Sequence, residues 1–162
     1  RKVMNQRAKD LAERFTTFNN DMISFVENCP DDVWQKVTSG EQWPVGVVAH
    51  HVAAGHYGIL DWVKMIVTGV ALPELTMDAI DQINAKHAEE HVNCTKSEVL
   101  GLLKQNGSSI IRFVAELDDE KLDRTSHLEL VGGEISTQQF IENFIIQSGG
   151  EHLSNMKAAT GK

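Results

Sequence analysis

The chain is 162 residues long, 41% hydrophobic and 23% charged, with 15 Lys and Arg against 23 Asp and Glu, a formal charge of −8. That length suits a single domain over residues 1–162 with a substantial core. The negative field repels nucleic acid and anionic membranes, so neither is expected as a partner. No stretch approaches the roughly 18–20 apolar residues of a membrane span, and the first residues carry no signal-peptide pattern, so a soluble, cytoplasmic protein is expected.

Apolar residues at steps of three and four, Leu11, Phe15, Phe18, Met22 and Phe25, predict a first amphipathic helix from about Val3 to Asn28, closed by Pro30. Asp31 and Asp32 are expected to cap a short turn carrying Val33, Trp34 and Val37, and Gly40 then interrupts the chain. Pro44 suits the opening turn of a second helix, because its missing N–H needs no partner there. The apolar stripe of that helix is Val48, Val52, Gly55, Ile59, Trp62 and Ile66, ending near Gly69.

Three histidines interrupt this second helix. At about 100° per residue, His51 falls roughly 60° from the stripe centre and points inward. His50 lies about 160° away, towards solvent, and His56 sits about 80° to the other side, at a border facing a groove or water.

Beyond Leu72-Pro73, Ile80, Ile83, His87 and His91 continue one inward face to about Val92. Thr95 with Glu98 forms a capping box before the third long helix, whose core face is Val99, Leu103, Ile110, Val114 and Leu117. Residues 118–134 are thin in apolar content. Leu128, Leu130 and Ile135 around Gly132-Gly133 suggest a small hairpin or an extended connection. Ser136 with Gln139 opens the last helix, which runs to about Ala159.

The last helix carries the most informative pair. Its stripe reads Ile141, Ile145, Ser148, His152, Met156 and Ala159, which places a hydroxyl and an imidazole on an apolar face. Unpaired burial of such groups costs roughly 1–3 kcal/mol each, so they need internal partners or serve a site. Gly149 and Gly150 weaken the same helix by about 1 kcal/mol each relative to alanine, which implies a close helix contact or open space beside the site. The fold class read from these elements is all-α, a four-helix bundle with a long irregular connection before the last helix.

The segment Trp43-Pro44-Val45-Gly46-Val47-Val48-Ala49-His50-His51-Val52-Ala53 resembles the second-helix signature of the DinB-like superfamily, in which a Trp stands eight residues before a metal-binding His. The resemblance continues through residues 80–85 and 95–100 to Glu151-His152-Leu153-Ser154-Asn155-Met156. It implies a four-helix bundle, often a homodimer, holding a divalent metal such as zinc or nickel. The family's ligands are one His from helix two and an H-x-x-x-H pair from helix four. Similarity makes His51 the first metal ligand and His152 the last, while the middle position is Ser148, a far weaker donor than imidazole. If the family geometry holds, replacement donors are His87, His91, His56, Glu151 and Glu142; weak metal binding and loss of the metal are the other outcomes.

Characterised relatives include thiol-dependent transferases and isomerases, and in a hydrolase version the same metal would activate water. The resemblance therefore implies a small-molecule substrate and a low-molecular-weight thiol cofactor, with Ser148 and Trp43 beside the bound group. The competing reading is a non-catalytic, dimerising or small-molecule-binding bundle in which His51, Ser148 and His152 form a hydrogen-bonded network. A further motif, His87-Ala88-Glu89-Glu90-His91, matches H-x-x-E-H, the inverted zinc-peptidase pattern. The chain lacks the flanking sequence of such a peptidase, so a solvated or core-edge helix turn is expected there. Cys29 and Cys94 have no C-x-x-C spacing and read as reduced cysteines. Trp34, Trp43 and Trp62 read mainly as packing residues.

Overall fold

The computed structural model describes residues 5–161. Helix α1 spans Gln6–Asn28, and the Asn5 side chain starts it by accepting the Arg7 N–H at 2.8 Å. The expected start at Val3 lies outside the described residues. Ala8, Leu11, Phe15, Phe18 and Met22 are buried along one face, and Val26 rather than Phe25 makes the last buried contact. Burying a side chain such as Phe15 contributes about 2–3 kcal/mol.

The short α2, Asp31–Trp34, has Pro30 at its N-cap and no side-chain cap, and Val37 beyond it is exposed. Neither aspartate caps the turn as expected, because the proline already sets the extended entry. A bridge between Val37 and Pro44, with Thr38 N–H donating to the Trp43 carbonyl at 2.9 Å, pins the loop that carries Glu41 and Trp43.

The second bundle helix is not uniform. It begins as α3, Val45–His50, with Pro44 at the N-cap, and turns into a π-helical segment, His51–His56. It resumes as α4, Leu60–Thr68, and ends on Gly69 at φ 78°, a left-handed cap that glycine adopts without strain. Helix α5, Met77–Glu90, follows from its N-cap Thr76 and contributes no buried residue. Ile83 is exposed, so α5 lies outside the four-helix core instead of continuing an inward apolar face.

Helix α6, Lys96–Ala115, has Thr95 accepting the Glu98 N–H, and buries Val99, Leu103, Ile110 and Val114. After the short α7, Asp119–Asp123, the irregular region forms a hairpin, the first of the two expected alternatives. Strand β1, Thr125–Leu128, pairs antiparallel with β2, Gly133–Ser136, in the register Thr125↔Ser136 to Leu128↔Gly133. Both arms of the Ser136–Gln139 capping box are formed at α8, Thr137–Phe140. A second π segment, Ile141–Gln147, leads into α9, Ser148–Ala159.

The bundle thus consists of α1, the α3–α4 helix, α6 and the α8–α9 helix, with α1 packed most extensively on α6. Small residues permit the close approaches. A Cβ on Gly107 would collide with Asn19, and one on Gly149 would stand 2.5 Å from the Phe18 ring. Gly150 faces open space. Tyr57 donates from its hydroxyl to Asn19 Oδ1 at 2.7 Å, so the buried polar pair satisfies itself.

Candidate metal centre

The two π segments decide where the histidines point. A π turn closes i to i+5 rather than i to i+4. In a regular α-helix His51 and His56 would lie about 140° apart. Across the His51–His56 segment the extra residue in the turn brings both rings to one side, 4.9 Å apart. Side chains take up carbonyls along both segments. Asn106 donates to Ala53 O at 2.9 Å, His56 Nδ1 to Phe144 O at 2.8 Å and Ser148 Oγ to Asn143 O at 2.8 Å. The His56 bond ties the first π segment to the second.

The second π segment also shifts the inward stripe of the last helix. Its buried positions are Ile141, Ile145, Gly149, Leu153 and Met156, so Ser148 and His152 stand beside the stripe, not on it. Both line the wall of a cavity of about 410 Å³ between the second and last bundle helices. Trp43 lines it too, edge-on to His51 at 5.4 Å.

Nitrogen atoms of His51, His56 and His152 converge within 4.8 Å of one another. His152 Nε2 lies 3.0 Å from His56 Nε2, and the His51 ring is 5.1 Å from that of His152. His152 Nδ1 is 2.5 Å from Glu41 Oε2 and His56 Nδ1 donates to a carbonyl, which sets both rings to the Nδ1–H tautomer. Their two Nε2 lone pairs then face each other and repel unless a proton or a cation lies between them. Two imidazoles on one tetrahedral zinc hold their nitrogens about 3.3 Å apart, given Zn–N of about 2.0–2.1 Å. The arrangement fits a divalent late-transition metal, with outer hydrogen bonds that orient the ligands.

The electrostatics agree. Burial, followed by the neighbouring His56 and His152, pushes His51 down to about 3. Burial pushes His56 down to about 4, against the opposing bond to Phe144. Both rings are therefore neutral donors at neutral pH, the state a metal needs. Burial pushes the Glu41 carboxyl up, but hydrogen bonds from Asn155, Thr38 and His152 outweigh it and hold it below the usual range. Glu41 is a carboxylate that orients His152.

Of the residues expected at the site, His51, His152, Ser148 and Trp43 all line one cavity. Among the described residues Ser148 makes no hydrogen bond to a histidine, so the His51–Ser148–His152 network of the competing reading is not formed; its hydroxyl is spent on its own helix. Glu142 is paired with Arg14 at 2.6 Å, whereas Glu151 lines the cavity wall. His50, expected in solvent, is only 5% exposed, because α5 covers it with His87 and His91. Glu41 was not expected at all, and an acidic residue two positions before Trp43 was its one sequence signal. Cys29 and Cys94 are free and buried, and Trp34 packs over Gly46 with its Nε1–H on the Cys94 carbonyl.

An all-α bundle with a histidine-rich pocket between its second and last helices defines a class of helical proteins with a metal-capable centre. The DinB superfamily pattern matches residues 14–154, and the chain belongs to that superfamily. Among solved structures it is similar to YfiT from Bacillus subtilis, described as a probable metal-dependent hydrolase with an unusual four-helix bundle topology. That likeness has a TM-score of 0.77 at 16% identity, covering 99% of this chain and 90% of the other. An uncharacterised protein from Clostridium difficile 630 gives 0.73 at 14% identity, covering 99% and 98%. A Streptococcus pneumoniae protein gives 0.72 at 14% identity, covering 99% and 93%. At these identities the likeness establishes the shared fold. No curated protein matches the chain.

Proposed function

We propose that this protein is a metal-dependent hydrolase of a small, neutral or cationic molecule, with His51, His56 and His152 as the ligand set and His56 taking the place of the histidine that Ser148 lacks. The carrying observation is the pair of Nε2 lone pairs fixed face to face at 3.0 Å by Glu41 and the Phe144 carbonyl. A divalent cation held there would supply Lewis acidity that lowers the pKa of a water or thiol nucleophile.

The chain's own residues supply the rest. Glu41 holds the proton on His152 Nδ1, and Trp43 walls the His51 side. Asp81 and Glu151 line the cavity and are in no ion pair or hydrogen bond among the described residues, so each is a carboxylate free to accept the proton shed by a nucleophile. With Glu41 they make the wall acidic, and no Lys or Arg lines it, which favours an uncharged or positive substrate.

Thiol transfer is the second reading, supported by an all-imidazole ligand set, which adds no negative charge and leaves a bound cation its full charge for a thiolate. Ser148 and Trp43 would then sit beside the thiol. A homodimer and a cytoplasmic location belong to the same proposal. Exposed Met77 and Ile83 on α5 are apolar surface that a second copy would cover, and no helix among the described residues is long and apolar enough to cross a membrane.

Elemental analysis of protein purified without a metal-affinity tag tests the reading, alongside the single His51→Ala and His152→Ala variants. Zinc or nickel in the wild type, reduced by one equivalent in each variant, is expected. A wild type that takes up no added zinc at this centre returns the protein to the non-catalytic bundle reading.

A further inference from the structure

A second histidine cluster stands apart from the ligands just described. His50, the last residue of α3, meets His87 from the last turn of α5 and His91, the C-cap that follows it. His50 Nδ1 is 3.0 Å from His87 Nε2, the same separation as the facing nitrogens of the first centre. The His50 and His91 rings stack 4.0 Å apart at 19°, the His87 and His91 rings are 4.5 Å apart, and one nitrogen from each of the three converges within 4.8 Å. His87 Nδ1 is buried without a hydrogen-bond partner. If Nδ1 carries the proton, a buried donor is unmatched; if Nε2 carries it, a buried acceptor is. Among the described residues neither tautomer of His87 satisfies both of its nitrogens, at a cost of about 1–3 kcal/mol.

Helix α5 itself is thinly attached. It buries no residue of its own, yet it carries Asp81 and Asn84, which form one wall of the first cavity. We infer that His50, His87 and His91 form a second divalent-metal site, of zinc type, that clamps α5 to the bundle and so holds that wall in place. Two histidines at i and i+4 on one helix with a third from a facing helix give three of the four ligands of a tetrahedral ion, leaving one position for water. Behind the mutual effect of the histidines themselves, Glu98 acts on His50 and Glu90 on His87, both in favour of a cation, and among the described residues no lysine or arginine acts on either ring. The H-x-x-E-H spelling of residues 87–91 thus supplies two ligands to a clamp, with Glu89 and Glu90 exposed on the outer side.

The test is a titration of chelator-stripped protein with Co²⁺ and Zn²⁺, read by Co²⁺ absorption bands and by hydrogen exchange of residues 77–90. Wild type is expected to bind two equivalents. The His51→Ala/His152→Ala variant should bind one, with exchange of residues 77–90 slowed at least tenfold by Zn²⁺. The His87→Ala/His91→Ala variant should bind one with no slowing; its changes fall on a helix with no buried residue, so the bundle remains folded. One equivalent in wild type, unchanged by His87→Ala/His91→Ala, overturns the clamp and leaves the first centre standing. One equivalent lost in that variant alone keeps the clamp and overturns the first centre. Two equivalents in wild type with unchanged exchange in residues 77–90 also overturn the clamp. That exchange measurement needs no variant.

Discussion

The two histidine clusters are built from adjacent residues, His51 and His50, yet they differ in how their nitrogens are held. In the first, the outer nitrogens of His56 and His152 are tied to the Phe144 carbonyl and to Glu41, both parts of the bundle or of a pinned loop. In the second, His87 Nδ1 has no partner and two of the three rings ride on a helix without a buried residue. The contrast separates a site oriented by the scaffold from one whose ligands and scaffold depend on each other. Preorganised ligands bind without an ordering cost, whereas the second cluster must order α5 as it binds.

The largest effect should come from deleting the least expected ligand. His56→Ala should abolish metal binding at the first centre, a loss beyond the roughly 10–100-fold that removing an orienting partner costs. Calorimetric zinc titration against wild type would check it, and an unchanged affinity would break the assignment of His56 as the third donor.

Acid should expose both clusters at once in the metal-free protein. Burial first, then nearby histidines, pushes His50 down to about 4, beside His51 at about 3 and His56 at about 4. The unfolded chain takes up protons below about pH 6.5 while the folded chain resists them. Stability is therefore fully present above that pH and is lost as pH falls through the folded values, with Glu41 acting in the same direction lower down. Unfolding free energies from denaturant titrations between about pH 7 and pH 4 should fall by several kcal/mol in total. A flat profile would mean these rings are not buried neutral.

A smaller change separates orientation from ligation. Glu41→Gln keeps the shape but replaces the carboxylate that holds His152 Nδ1–H, and should weaken zinc binding at the first centre about 10–100-fold without affecting the second. Equal weakening at both would show a general loss of structure. The smallest effect belongs to Ser148→Ala. Because Ser148 Oγ already donates to Asn143 O, zinc affinity should stay within about twofold of wild type, and a larger drop would make the hydroxyl a donor after all.

These contrasts also divide what is legible in the chain from what is not. Helix α6 reads directly: Thr95 caps it and Val99, Leu103, Ile110 and Val114 are buried at the expected period. The Ser136–Gln139 box and the hairpin around Gly132 are equally local, as is the eight-residue spacing from Trp43 to His51. Where the 100° rule misplaces a residue, the helix is not regular or something covers it. His56 faces a groove as expected, whereas Ser148 is misplaced because a π turn intervenes, and His50 because α5 lies over it.

The sequence by itself determined the helical class and the Thr95 and Ser136 caps, since each depends on periodicity or spacing within one segment, and the family resemblance carried by its motifs paired His51 with His152. Only the tertiary structure brought His56 to that pair, turned Glu41 onto His152 and closed α5 over His50. Those placements depend on bonds between segments far apart in the chain, such as His56 to Phe144 and Glu41 to His152, and no one-dimensional period encodes them.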